Sequence, residues 1–238
     1  MPTLDESKPG EVLTDGRGGY WTVLFDLDGT LIDTKRLYLE CFRRALTPIL
    51  GRSPDAADFK RLQPRSEIWF IRGLLGDARF QQGMESFYRE YERLHPTHFD
   101  GAYPGISNML DGLRKAGRQL GIVTGKSRRS WEIMQSNHTL GCFDVLVFDD
   151  DVPDCKPDPA GIQLALRQLG ASPESTIYIG DSVTDLDAAV AAGVRAAGVL
   201  WPKRGDDRAR FILEAREREA DLFESPADLA AVMTVESE

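Results

Sequence analysis

Phe25-Asp26-Leu27-Asp28-Gly29-Thr30-Leu31 follows directly on the apolar stretch Trp21 to Phe25 and sets two carboxylates two residues apart where a buried strand would end. Such a pair is costly to hold away from water unless it binds a cation or performs chemistry, so the stretch predicts a strand with a reactive centre at its carboxyl end. Further short apolar segments recur at Gln119 to Val123, Val145 to Phe148, Ile177 to Ile179 and Ala196 to Leu200. Between them, apolar residues fall at helical spacing: Ile106, Met109, Leu110 and Leu113, then Ile162, Leu166 and Leu169, then Leu186, Ala189 and Val190 before a stop at Gly193. This rhythm predicts a parallel sheet covered by helices, not a sandwich or a bundle.

One interval breaks the rhythm. From Asp33 to Pro104 the pattern is helical throughout, including Leu37 to Leu46, Ile68 to Leu75 and Phe80 to Leu94, with Pro48, Pro54 and Pro64 as punctuation. That is far longer than an ordinary strand-to-helix connection, which predicts a helical subdomain inserted after the first strand and lying over the reactive centre. Trp69, Phe70, Phe80, Phe87, Tyr88 and Tyr91 are expected to pack its helices. The fold class is therefore α/β: a Rossmann-like three-layer core with a parallel sheet and an inserted α-helical cap. Residues 1–19 read as a flexible tail, with an extra edge strand through Glu11 to Thr14 as the alternative; residues 20–34 and 103–238 read as the core, and 35–102 as the cap. From Gly205 onward the sequence predicts peripheral helices without chemistry, one of them opened by Ser225-Pro226.

A formal charge of −9 and a pI near 5.0 argue against a large nucleic-acid footprint, because phosphate backbones require clustered Lys and Arg. No apolar run reaches the length of a membrane span, and the acidic, Gly- and Pro-broken start does not resemble a signal peptide. Cys41, Cys142 and Cys155 form no close-spaced pair, which favours reduced thiols and a cytoplasmic location. His95 and His98 lack further ligands nearby and read as surface or hinge packing; His138 carries no signal. Neither a nucleic acid nor a membrane is expected as a partner, and the chain reads as a monomer or a homodimer.

In a parallel α/β sheet, reactive groups gather beyond the carboxyl ends of the strands. Four elements of this chain end in polar groups there: Asp26, Asp28 and Thr30; Thr124 and Gly125; Lys156-Pro157; and Gly180-Asp181 with Asp185 following. Asp26 and Asp181 on adjacent strands could share a hard divalent cation such as Mg2+, which prefers oxygen ligands. A carboxylate can attack phosphorus when the phosphoryl oxygens are neutralised, and Lys156, Thr124 and the amides around Gly125 could supply that neutralisation. Asp28 could then protonate the leaving oxygen and later take a proton from water. Thr30 could brace the loop.

Four pieces in this order, Asp26-Leu27-Asp28-Gly29-Thr30-Leu31-Ile32-Asp33, Ile122-Val123-Thr124-Gly125-Lys126, Lys156-Pro157-Asp158-Pro159 and Gly180-Asp181-Ser182-Val183-Thr184-Asp185, resemble the haloacid dehalogenase superfamily of phosphohydrolases. The resemblance covers nearly the whole chain after the tail, and the helical insert looks like the cap of the phosphoglycolate phosphatase and beta-phosphoglucomutase branch. It implies Asp26 as nucleophile, Asp28 as general acid/base, and Thr124 and Lys156 as holders of the transferring phosphoryl group. It implies Asp26, the main-chain carbonyl of Asp28 and Asp181 as Mg2+ ligands, with Asp185 assisting directly or through water. The implied activity is a phosphoric monoester hydrolase acting through an aspartyl phosphate on a small phosphorylated metabolite, phosphoglycolate among the candidates. A sugar phosphomutase, an inorganic pyrophosphatase and a non-catalytic binding protein are the alternatives.

Those phosphatases commonly carry Asn where this chain has Gly125, and the glycine removes a possible substrate contact. Lys126, Arg128 and Arg129 follow the threonine and could attract a second anionic group, so Thr30, Gly125, Lys126 and Arg128 are the candidate substrate-binding residues. In the cap, Lys60, Arg65 and Arg72 are similar candidates.

Overall fold

The computed structural model describes residues 20–63 and 65–234; the expected tail, the edge strand weighed within it and Pro64 lie outside the described residues. Six strands form one parallel sheet: β1 (Thr22–Phe25), β2 (Gln119–Val123), β3 (Val145–Val147), β4 (Thr176–Gly180), β5 (Arg195–Val199) and β6 (Asp221–Phe223), in the order β3-β2-β1-β4-β5-β6. The strand order reverses at β1, the place where crevices open in such sheets. Phe25 aligns with Ile122 on one side and Ile179 on the other, so Asp26 leaves the sheet level with Val123 and Gly180, one residue short of Thr124 and Asp181.

Alternation along β1 explains the layering. Val23 and Phe25 face helices α5 (Ile106–Lys115), α6 (Arg128–Asn137) and α10 (Pro226–Met233), whereas Leu24 faces α7 (Ala160–Leu169), α8 (Val183–Ala192) and α9 (Gly205–Glu217). Each face buries its own apolar cluster, and this gives the three-layer architecture expected. The start and stop signals hold as well: the Ser225 hydroxyl accepts from the Asp228 amide at 3.2 Å, and Gly193 ends α8 in the left-handed region.

Between β1 and α5 the chain forms four helices, α1 (Lys35–Leu50), α2 (Ala56–Leu62), α3 (Glu67–Leu75) and α4 (Asp77–His98), around a cluster of their own. Its centre is aromatic: Phe42 lies 4.6 Å from Phe70 and 5.1 Å from Phe87 between ring centroids. Among the described residues no helix is long and apolar enough to cross a membrane.

Three local readings need correction. Pro48 does not end α1, which runs two residues further to Leu50 before a left-handed Gly51; the proline forfeits the one bond its missing N–H would have made to the preceding turn, and the helix continues past it. Trp69 is 44% exposed instead of packing the insertion's core, with its indole N–H tied to the Leu62 carbonyl at 2.9 Å. The carboxyl-terminal region is not helical throughout, since Asp221–Phe223 pairs with β5; Asp221 there holds Arg195 at 2.6 Å.

His95 is packing, and deeply so. It is buried between Tyr91 and Phe99, and its Nε2 has no partner. Burial pushes its imidazole down to about 4, helped by Lys126 and His138. A proton is therefore taken up on unfolding, so the contribution of this group is complete above the unfolded value and declines as pH falls toward the folded one. Near pH 5 the native state loses about 2 kcal/mol through His95 relative to neutral pH, an increment that His95→Phe should lack. Urea titrations of both proteins at the two pH values measure it, and equal pH sensitivity would refute the assignment.

Candidate active site

Asp26 emerges from β1 with its amide bonded to the Ile179 carbonyl at 2.8 Å, which locks it between β2 and β4. Its carboxylate is 6% exposed and meets Lys156 Nζ at 2.6 Å; the buried Thr30 hydroxyl approaches the other oxygen at 3.5 Å. Lys156 arrives from the segment after β3, at a cis Lys156–Pro157 bond, and its ammonium also meets Asp185 Oδ1 at 2.5 Å and the Tyr178 hydroxyl at 2.8 Å. Asp185 is fixed by its helix: its Oδ2 accepts from the Ser182 amide at 3.0 Å while the Ser182 hydroxyl caps α8. Asp181 follows β4, with Lys203 Nζ at 3.4 Å.

Asp26, Asp181 and Asp185 each offer an oxygen within 4.8 Å of the others. Burial pushes Asp26 up to about 8, with Lys156 pulling against it and Asp185 and Asp181 adding to the push. Burial likewise lifts Asp181 to about 6, against Lys203. Asp185 also suffers burial, but Lys156 and the Ser182 hydrogen bonds outweigh it and hold the carboxyl below its ordinary value. Three oxygen-donating groups sharing one crevice, two of them reluctant to ionise, form a set that a hard divalent cation satisfies. Gly29 keeps the set tight: at φ +89° it has no Cβ, and one placed there would stand 2.7 Å from Asp181 Oδ1.

Asp28 points elsewhere. Its Oδ1 accepts from the Thr34 hydroxyl at 2.8 Å and faces Lys126 Nζ at 3.1 Å, and its carboxylate is not in the metal-type cluster. Asp26, Asp28, Thr124, Gly125, Lys126, Lys156, Asp181 and Asp185 all line one cavity of about 510 Å3, so the segments after β1, β2, β3 and β4 converge there with the first turn of α8. Thr30 and Arg128 do not line it. Thr30 is fully buried behind Asp26, and Arg128 is held by Asp151 at 2.8 Å at the start of α6. Arg129 lies over the Tyr88 ring, Arg72 over Phe80, and Lys60 is exposed; Arg65 does line the cavity.

Gly125 has a steric role beyond a lost contact. An added Cβ would stand 2.3 Å from the Arg65 carbonyl oxygen, so the glycine lets the helical insertion seat its main chain directly on the β2 loop. The same seam holds groups the sequence gave no means of pairing: Glu67 accepts from the Ser127 amide at 2.7 Å and the Ser130 hydroxyl at 3.1 Å. Tyr178 was the more visible omission, since a hydroxyl inside an otherwise apolar strand needs a partner; it donates to the Val123 carbonyl at 2.8 Å.

A family model of haloacid dehalogenase-like hydrolases matches residues 23–199. The chain belongs to the haloacid dehalogenase-like hydrolases. Within that family, the pyrophosphatase PpaX of Bacillus velezensis is 36% identical over 187 residues, covering 77% of this chain and 84% of its own. The PpaX of Listeria innocua is 33% identical over 226 residues, or 91% of this chain and 97% of that one. CbbY of Rhodobacter sphaeroides, solved in complex with phosphate, superposes with a TM-score of 0.75 at 24% identity, over 91% of this chain and 100% of that one, and shares the fold. The chain is an enzyme of the phosphatase type.

Gly125→Ala should lift the Arg65–Ser66 segment off its seat without strain in its own backbone. Trypsin cleavage after Arg65 should then accelerate several-fold while the sheet stays intact by circular dichroism. Unchanged cleavage would mean that the seam yields elsewhere.

Proposed function

We propose that the protein hydrolyses small phosphate esters or anhydrides through a phosphorylated Asp26, with Mg2+ as its cofactor. One observation carries the reading. Asp26 is buried at the strand-order reversal with an ammonium on one side and two further carboxylates on the other, while Asp28, two residues on, is turned away from them into the same cavity.

Asp26 and Asp181 would hold the Mg2+, with Asp185 assisting directly or through water. When bound, the ion supplies positive charge to the phosphoryl oxygens. Lys156 supplies a second positive centre, and Thr124 with the amides about Gly125 donates to the remaining oxygens. An Asp26 oxygen forms the bond to phosphorus as the bond to the leaving oxygen breaks, and Asp28 hands its proton to that oxygen. In the second half Asp28 takes a proton from water, the water oxygen bonds to phosphorus, and the Asp26 carboxylate departs with inorganic phosphate released. The helical insertion acts as a cap that excludes bulk water from this exchange.

Pyrophosphate is the favoured substrate among the candidates, ahead of phosphoglycolate. The named activity of the PpaX relatives supports it, and so does the cavity lining, where Lys35 and Arg65 add positive charge and Arg65 Nε is buried without a hydrogen-bond partner. The apolar stretch formed by Leu39, Phe42 and Phe59 leaves room for a short carbon skeleton as a second class.

A phosphate-release assay with Mg2+ across pyrophosphate, phosphoglycolate, nucleotides and sugar phosphates is the direct test. A preference of about 100-fold in kcat/KM, equal to about 3 kcal/mol, would mark a specific enzyme. Asp26→Asn should cost at least about 1,000-fold in kcat, and EDTA should abolish turnover reversibly. Release that survives in Asp26→Asn would end the covalent reading, and isomerised glucose 1-phosphate without free phosphate would make the enzyme a mutase.

A further inference from the structure

Lys126 has an environment that substrate binding does not explain. Its side chain is fully buried, and an ammonium has three protons to donate. The three partners are present: the Tyr38 hydroxyl at 2.5 Å, the Tyr91 hydroxyl at 3.1 Å and Asp28 Oδ1 at 3.1 Å. Tyr38 in turn faces Glu67 Oε2 at 3.2 Å, so its own proton has an acceptor and its oxygen is left to receive from Lys126. Nothing remains on the ammonium for a second anionic group of a substrate.

We infer that Lys126 is a positioning residue: anchored by Tyr38 on α1 and Tyr91 on α4, it fixes the Asp28 carboxylate for proton transfer to the leaving group. Thr34 and Lys126 both contact the Asp28 carboxylate at Oδ1. A carboxylate pinned through one oxygen presents the other along a defined direction, and Asp28 lines the cavity. The pin is stiff because its base is buried. Burial alone would push the Lys126 ammonium down, but Asp28, Tyr91 and Glu67 outweigh it and hold the group charged. Glu67, the charge that balances this cluster from α3, is itself tied to the Ser127 amide and the Ser130 hydroxyl. Two helices of the insertion thus meet at one ammonium on the loop after β2, a third reaches it through Tyr38, and that ammonium touches the group assigned to the leaving oxygen.

This inference rests on the phosphatase reading and adds a residue to it. Its signature is a dependence on leaving group, since an ester that departs readily needs little protonation. The measurement is kcat/KM for an alkyl phosphate and for 4-nitrophenyl phosphate, neither bearing a second anionic group, with wild type, Lys126→Met and the Tyr38→Phe/Tyr91→Phe double variant. Lys126→Met should lose about 100-fold on the alkyl ester and less than about fivefold on the nitrophenyl ester. The double variant, which removes only the two hydroxyls, should lose less but with the same bias. Equal losses on both esters overturn the inference, and so does a defect confined to pyrophosphate, which would return Lys126 to a substrate contact. If Lys126→Met does not fold, the double variant decides by the same criterion. A wild type that cleaves neither ester nor pyrophosphate refutes the phosphatase reading instead, whereas activity with an unbiased loss refutes only the role of Lys126.

Discussion

The ammonium of Lys156 lies between two carboxylates, 2.6 Å from Asp26 and 2.5 Å from Asp185, and the rest of the site is arranged around that contact. Buried carboxylates at this separation repel one another and resist losing water; an interposed cation makes their shared burial tolerable. Tyr178 and the Val123 carbonyl complete the shell of the ammonium, so three strands contribute to a single charged centre. The sheet supplies the rigidity for this, since residues held in register on β1, β2 and β4 cannot drift independently.

The same logic governs how the helical insertion meets the sheet. A second buried ammonium, Lys126, lies at the seam, and its partners come from both sides. Three lysines divide the carboxylates between them: Lys156 serves Asp26 and Asp185, Lys126 serves Asp28, and Lys203 serves Asp181. Asp26 and Asp28 are two residues apart in sequence yet sit in different electrostatic surroundings, as the separate roles proposed for them require.

Much of this was legible in the chain because it is local. Asp26, Thr124 and Asp181 each follow directly on an apolar strand, and parallel pairing leaves no choice but to bring such strand ends together. Lys156 and Asp185 were legible through their place in the order of motifs. The surroundings of Lys126 were not, because Tyr91 is 35 residues from it and Tyr38 88, and helical periodicity marks both tyrosines only as packing residues. Arg128 read as a substrate ligand because a cation near a phosphate motif looks purposeful; its pairing with Asp151 depends on how the segment after β3 turns. The strand Asp221–Phe223 escaped notice for want of length, as three residues cannot display a period. Trp69 was misplaced for the opposite reason: apolar bulk signals a core, and nothing in the sequence reveals that its indole is tied to the neighbouring turn.

The close approach of the Arg65 carbonyl to Gly125 has a wider consequence. A joint made of backbone against backbone depends on one missing side chain, the Cβ that Gly125 does not carry, and little on the side chains around it. While residue 125 is glycine, the side chains bordering the cavity can change without moving this contact. Such a socket fixes where the insertion rests on the sheet, whatever the chemistry of the walls beside it.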